Sequence, residues 1–243
     1  WMRTEIMVEN HSFVADNNLK LALLGFTLAA IAPTISVVTG FVFQAGMLAI
    51  IVFFVTKIWM FGLPAFWHLI VEKQPVSYST ANSGGWKISA LLGFSMCIII
   101  YAAYFLLGDK LLSADDLKSI LEPVGLTNKK IFFIAVIYWI FVNSVLEEYL
   151  FRWFLTTKLE QIIGGYWLPI IISALIFTIH HTIALAYFIS PLGNFLCSLG
   201  LFIGGIIFSW LYMESRSIWI PWLAHAMCDV AVFSIAWHLV IGF

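Results

Sequence analysis

The sequence predicts an all-α protein, a polytopic transmembrane helical bundle of about seven spans with one amphipathic helix on the membrane surface. Of its 243 residues, 62% are hydrophobic and only 10% are charged, and the mean hydropathy is +0.99. A soluble domain has about 25% charged residues, so this chain has too few of them to cover a water-facing surface. Its apolar runs are also longer than about 17 residues and lack the alternation of barrel strands, which favours helices.

Seven of these runs are long enough to cross a bilayer as helices. The predicted spans cover, in chain order, residues 19–39, 44–71, 87–107, 131–157, 167–189, 192–213 and 218–243. In the connection 108–130, apolar residues recur at three- and four-residue spacing among charged ones, which predicts the amphipathic surface helix. No linker or repeat divides the chain, so we expect a single integral membrane domain over residues 1–243. Gly200 and Gly204 in the sixth span are typical of a close contact between membrane helices.

The composition argues against several other classes of protein. A net charge of −1 without a basic run gives no indication of a nucleic-acid partner. The three cysteines all lie in apolar runs, so we expect no disulfide framework. Residues 1–18 lack an apolar core followed by a cleavage site, and no cleavable signal peptide is predicted. A slight excess of lysine and arginine on the N-terminal side favours a cytoplasmic N-terminus, in a protein of the cell (cytoplasmic) membrane.

Ionisable residues inside the spans are candidates for function, because a charge at the bilayer centre costs at least about 2.5–3.5 kcal/mol. Glu148 and Arg152 are four residues apart in the fourth span and can pair. Glu147 is rotated from Glu148 by about 100° and is left free to exchange a proton. His225 and Asp229 are also four residues apart, on one face of the seventh span. Together with His181 of the fifth span, these residues predict one polar site between three helices.

Several interpretations of these residues stay open. The Glu148–Arg152 pair, taken alone, is as readily a structural ion pair. We expect at most one of His180 and His181 to face the site. Lys57 indicates either a lysine reaching out from a helix end or a misplaced second span.

The depths of the predicted site residues impose a condition on the fifth helix. At 1.5 Å per residue, Glu147 and His225 lie about 6–9 Å from one membrane face but His181 lies about 21 Å from it. We therefore expect the fifth helix to begin outside the membrane, around Ile162, so that His181 comes within about 8 Å of Glu147.

The spacing of these residues resembles the motifs of the CPBP family, which contains the CAAX proteases and the bacteriocin-processing enzymes also called ABI proteins. The family pattern is EExxxR, FxxxH and HxxxN or HxxxD on three successive membrane helices. It is matched in order by Glu147-Glu148-xxx-Arg152, Phe177-xxx-His181 and His225-xxx-Asp229, and the resemblance covers about residues 131–235. One departure is Asp229, which stands where asparagine is frequent.

The resemblance implies an intramembrane endopeptidase and a role for each of the site residues. Glu147 would activate a water with help from His181, and His225 with Asp229 would stabilise the oxyanion. Arg152 and Glu148 would hold the geometry of the site. The substrate would be a peptide or protein presented at the lipid bilayer, through its C-terminal region. A divalent metal such as zinc on Glu147, His181 and His225 and a metal-free reaction are both open.

Two other functions compete with the peptidase. A non-catalytic relative would serve as a partner-binding or immunity protein, with the polar cluster as a structural element only. A proton-coupled transporter would use the intramembrane Glu and His residues as a relay. The absence of repeated halves in the sequence argues against the transporter.

Overall fold

The computed structural model describes residues 18–81 and 84–242, and every regular element in these ranges is helical. The expectation about a signal peptide therefore falls, except for Asn18, on residues outside the described part. The eight helices are α1 (Asn18–Val42), α2 (Met47–Val71), α3 (Trp86–Leu111), α4 (Ala114–Leu121), α5 (Lys129–Ile163), α6 (Trp167–Leu185), α7 (Pro191–Ser215) and α8 (Trp219–Val240). All except α4 are long and apolar enough to cross a membrane. This confirms the predicted fold class and its seven spans.

Helix α4 lies in the connection for which an amphipathic helix is predicted. Ser113 caps its first turn by accepting a hydrogen bond from the backbone N–H of Asp116 at 3.2 Å. Its charged residues are exposed, whereas Leu117, Ile120 and Leu121 are half-buried. The helix is therefore amphipathic, as the spacing of its apolar residues predicts.

Helix α5 is the element around which the site is built. With 35 residues it is about 52 Å long, well beyond the about 20 residues that a span needs. It contacts α2, α6, α7 and α8. Near its C-terminal end the buried ammonium of Lys158 pairs with Glu72, and Glu160 accepts two hydrogen bonds from Arg216 at 2.6 and 2.7 Å. These pairs attach α5 to the α2–α3 connection and to the turn between α7 and α8.

The expected start of the fifth spanning helix around Ile162 is wrong, because α6 begins at Trp167. The additional length belongs to α5, which continues to Ile163 and not only to residue 157. Glu147 then lies about 24 Å before the end of α5, and His181 lies about 21 Å after the start of α6. The two side chains reach the same level because their distances from the connection between α5 and α6 are nearly equal.

Two segments of α5, Trp139–Asn143 and Glu148–Leu155, are π-helical. Such segments widen the helix, change the direction of the following side chains and are frequent at functional sites. The carbonyl of Phe151 accepts hydrogen bonds from the hydroxyls of Thr156 and Ser173, both at 2.9 Å. The Ser173 bond ties the widened segment of α5 directly to α6.

The close approach predicted at Gly200 and Gly204 occurs at neither residue. A Cβ on Gly200 would meet nothing within 4 Å, and one on Gly204 would make ordinary contacts at 3.9 Å. The close contact is at Gly205, where a Cβ would lie 3.2 Å from the Cα of Ala174 on α6. The spacing of small residues alone does not indicate which face of α7 meets its neighbour, and that prediction was wrong.

Candidate active site

Polar side chains from α5, α6 and α8 converge at one level of the bundle. Glu147, His180 and His181 each offer one ligand atom, and these three atoms lie within 4.8 Å of one another. His225 on α8 brings its Nε2 to 3.7 Å from Oε2 of Glu147. Glu147 and His225 are only 7% and 6% exposed. The distance between Glu147 and His181 is thus well inside the limit of about 8 Å that a shared water or ion requires.

Glu148 connects two of the three helices. Its Oε1 is 2.8 Å from Nδ1 of His225, and its Oε2 is 3.3 Å from Nε of Arg152. Both Glu148 and Arg152 are fully buried. The pair predicted from the four-residue spacing is present, and it also orients the imidazole of His225.

The guanidinium of Arg152 is enclosed by aromatic rings. Its centre lies 4.3 Å from the ring of Phe177, 5.3 Å from that of Phe208 and 5.8 Å from that of Phe151. Cation–π attraction of this kind is stronger in a desolvated environment. None of the three guanidinium nitrogens of Arg152 has a hydrogen-bond partner within the described residues, and the contact of Nε with Glu148 is an ion pair. Arg152 therefore acts on the site through Glu148 and through its charge.

Glu147 has a polar neighbour that is not part of the three family motifs. Asn143 on the preceding turn of α5 donates from Nδ2 to Oε1 of Glu147 at 2.7 Å. The other oxygen, Oε2, is directed toward His225. The two oxygens thus have different neighbours, Asn143 for Oε1 and the imidazole of His225 for Oε2.

Lys57 on α2 extends this chain of contacts, since its ammonium donates to Oδ1 of Asn143 at 2.6 Å. Both sequence interpretations of Lys57 were wrong, because the second span is correctly placed and the side chain does not reach for a helix end. Two features of the sequence could have identified Lys57 and Asn143 as neighbours of the site. A lysine deep in a span is a functional candidate by itself. Asn143 lies four residues before Glu147 on the same helical face.

The hydrogen bond of His181 leaves its Nε2 as a proton acceptor. Its Nδ1 lies 2.8 Å from the carbonyl oxygen of Phe177. A carbonyl only accepts hydrogen bonds, so Nδ1 carries the proton in this contact. In the neutral ring, Nε2 then keeps a lone pair.

His180 also belongs to the cluster, and the expectation that at most one of the two adjacent histidines faces the site was wrong. Its ring stacks on Phe151 at 5.3 Å and lies 4.0 Å from the ring of His181, centroid to centroid. Its Nδ1 is buried and has no partner among the described residues. Adjacent residues of a helix are rotated by about 100° around its axis. Both rings nevertheless reach the single carboxylate of Glu147 from one helix.

Asp229 lies beside His225 on α8, as their spacing predicts. Its Oδ1 is 3.7 Å from Nε2 of His225, which is longer than a hydrogen bond. The side chain of Asp229 is 20% exposed, whereas that of His225 is 8% exposed. Asp229 is therefore at the more open edge of the cluster.

The donor set around Glu147 fits a divalent metal. One carboxylate and two imidazoles are ligands that zinc takes in catalytic sites, where a fourth position is left for water. The grouped residues are Glu147, His180 and His181. They differ from the set that the family resemblance implied, because His180 replaces His225. Nδ1 of His225 contacts Glu148, and its Nε2 is 3.7 Å from two carboxylates.

The fold and the site define a membrane protein of seven candidate spans with an acidic and imidazole cluster inside the bundle. Residues 129–231 match the family described as type II CAAX prenyl endopeptidase Rce1-like. A comparison with curated proteins gave no significant match, and neither did a comparison with solved structures. The match covers less than half of the chain and includes every predicted site residue, whereas α1–α4 lie outside it. Residues 129–231 thus form an Rce1-like type II CAAX prenyl endopeptidase domain of the CPBP family, which confirms the resemblance seen in the motifs.

Proposed function

We propose that this protein is an intramembrane endopeptidase that hydrolyses a peptide bond of a peptide or protein presented at the membrane. The observation that carries the proposal is the buried cluster of Glu147, His180 and His181, whose ligand atoms lie within 4.8 Å of one another. A carboxylate beside an imidazole can take the proton of a water molecule. The family domain supports a peptide or protein as the substrate.

Water activation is assigned to Glu147 and His181. A water between Oε2 of Glu147 and Nε2 of His181 would lose a proton to this pair while its oxygen bonds to the scissile carbonyl carbon. The tetrahedral intermediate would then break its C–N bond, and the same proton would pass to the leaving amine nitrogen. A divalent ion on the cluster, when bound, would polarise the carbonyl or activate the water.

Stabilisation of the oxyanion is assigned to His225. Its Nδ1 contacts Glu148 at 2.8 Å, which fixes the ring and leaves Nε2 directed into the site. In the doubly protonated ring, Nε2–H donates to the negative oxygen that develops on the carbonyl. Asp229, at 3.7 Å from this nitrogen, supports the imidazolium, and Arg152 holds Glu148 in place.

The decisive test is Glu147→Gln, which keeps the shape of the side chain but removes the base. The purified protein in liposomes is given a fluorogenic peptide ending in a prenylated CAAX sequence. In parallel, C-terminal peptides are compared by proteomics in cells with the wild-type and the variant protein. We expect Glu147→Gln to lower kcat by about 10²–10⁴-fold with an unchanged thermal unfolding midpoint.

The matched control is Glu160→Gln, which changes a carboxylate on the same helix at the Arg216 pair, away from the cluster. Its activity should equal that of the wild type. Full activity of Glu147→Gln, or no Glu147-dependent cleavage in either assay, would contradict the proposal. Full biological activity of Glu147→Ala and His181→Ala would instead support the partner-binding alternative.

A further inference from the structure

Lys57 is an ionisable residue in the membrane interior that the proposed reaction does not use. It lies about 15 Å from the start of α2 and about 21 Å from its end, so its four-carbon side chain does not reach either end of the helix. A lysine at this depth costs about 2.5–3.5 kcal/mol or more on insertion. Apart from a contact with the ring of Phe53 at 5.6 Å, its ammonium is directed at Asn143 on α5.

The two hydrogen bonds of Asn143 have a fixed direction. The ammonium of Lys57 only donates, so it requires the amide oxygen Oδ1, at 2.6 Å. The carboxylate of Glu147 only accepts when ionised, so it requires the amide nitrogen Nδ2, at 2.7 Å. A flipped amide would oppose donor to donor and acceptor to acceptor. The contacts thus orient the amide and connect a cation to the carboxylate through one side chain.

The arrangement constrains Glu147 at one oxygen only. Oε1 is held by Asn143, while Oε2 remains on the side of His225, at 3.7 Å from its Nε2. A carboxylate held in this way cannot rotate freely to exchange its two oxygens. A carboxylate with a fixed orientation is already aligned with the water that it must deprotonate. Alignment of this kind has a large effect on the rate of the chemical step.

We propose that Lys57 is a positioning residue, which acts through Asn143 to orient the carboxylate of Glu147 for water activation. The inference rests on the proposed peptidase function and deepens it. It assigns a role in the reaction to α2, which lies outside the family domain of residues 129–231. Lys57 does not touch the reacting atoms, so its contribution depends on Asn143.

The test measures kcat and KM for cleavage of the prenylated CAAX peptide in liposomes. Lys57→Met and Asn143→Ala should each lower kcat about 10–100-fold, which is the usual effect of losing a partner of a site residue. KM should change less than about twofold, because the binding of substrate is not altered. The double variant should be no slower than the slower single variant, since both changes break one chain of contacts.

Two further variants separate positioning from a general structural role. Lys57→Arg keeps a cationic donor and should retain kcat within a few-fold of the wild type. Thr56→Val removes the neighbouring buried hydroxyl, which among the described residues bonds to carbonyls of its own helix, and should leave kcat unchanged. If Lys57→Met does not fold, Lys57→Leu, which also lacks a hydrogen-bond donor, is measured in its place, with the same expected loss.

The outcomes distinguish this inference from the proposed function. Glu147-dependent cleavage that persists at full rate in Lys57→Met would overturn the inference alone. Multiplying losses in the double variant, or no rescue by Lys57→Arg, would also overturn it. Cleavage that does not depend on Glu147 would overturn the proposed function, and this inference with it.

Discussion

Glu148 and Arg152 are the most deeply buried charges near the site, and their main effect is on its stability. Both side chains have no exposed surface, and Glu148 also contacts His225. Removing one partner of a buried pair leaves an uncompensated charge, which is more damaging than replacing both partners. The pair therefore supports the site geometry only as long as it is complete.

We predict that Arg152→Leu lowers the free energy of unfolding by about 3 kcal/mol. This is the lower end of the usual range for a broken buried pair, because His225 keeps one contact with Glu148. The measurement is denaturant unfolding in detergent micelles. The double variant Arg152→Leu with Glu148→Gln should regain much of the loss, since neither charge then remains unpaired. A single variant as stable as the wild type would contradict this account.

At the residue scale, the sequence identifies pairs of side chains that lie on one face of the same helix. The pairs Glu148 with Arg152 and His225 with Asp229 follow from a separation of four residues on one helix. The contact of His180 with Glu147 and that of Lys57 with Asn143 join different helices. A single sequence contains no information on the rotation of one helix against another, so these contacts required the structure.

At the scale of the elements, the length of α5 decides whether the site forms. A hydropathy window reports only the apolar part of a helix, so it stops near residue 157, where polar residues begin. The last turns of α5 are polar but remain helical, and Lys158 and Glu160 pair there with Glu72 and Arg216. These tertiary contacts are why the depth of His181 could not be predicted correctly from the sequence.

The packing of α6 on α7 also belongs to this scale, since α6 carries the two histidines of the cluster. We predict that Gly205→Ala lowers the free energy of unfolding by about 1–3 kcal/mol, the usual cost of overpacking. The new Cβ would lie 3.1 Å from the Cβ and 3.2 Å from the Cα of Ala174, so the α6 backbone must move. The measurements are thermal unfolding in detergent and peptidase activity.

The adjacent glycine provides the control for this prediction. In Gly204→Ala the new Cβ would meet its nearest atoms only at 3.9 Å. Alanine is also the better helix former, so no loss of stability is expected. Equal unfolding midpoints for the two variants would contradict the view that α6 and α7 meet at Gly205.

At the scale of the whole molecule, the site lies closer to one end of the bundle. His225 is about 9 Å from the start of α8, at the end of the bundle where α1 and α3 also begin, and α5 and α6 extend about 12–15 Å further in this direction. This end also has the slight excess of basic residues, which predicts that it faces the cytoplasm. That orientation, the location in the cell membrane and a single domain over residues 1–243 stay predictions.

The orientation can be measured by labelling single cysteines with a membrane-impermeant thiol reagent. Cys97, Cys197 and Cys228 are first replaced by alanine, and then Lys87→Cys or Lys118→Cys is introduced at an exposed position on either side. We expect Lys118→Cys to react in intact cells and Lys87→Cys to react only after the membrane is opened. The opposite pattern would place the end of the bundle that is closer to the site outside the cell. Substrates would then have to approach from the extracellular face, because His225 and its neighbours lie closest to the end that carries Lys87.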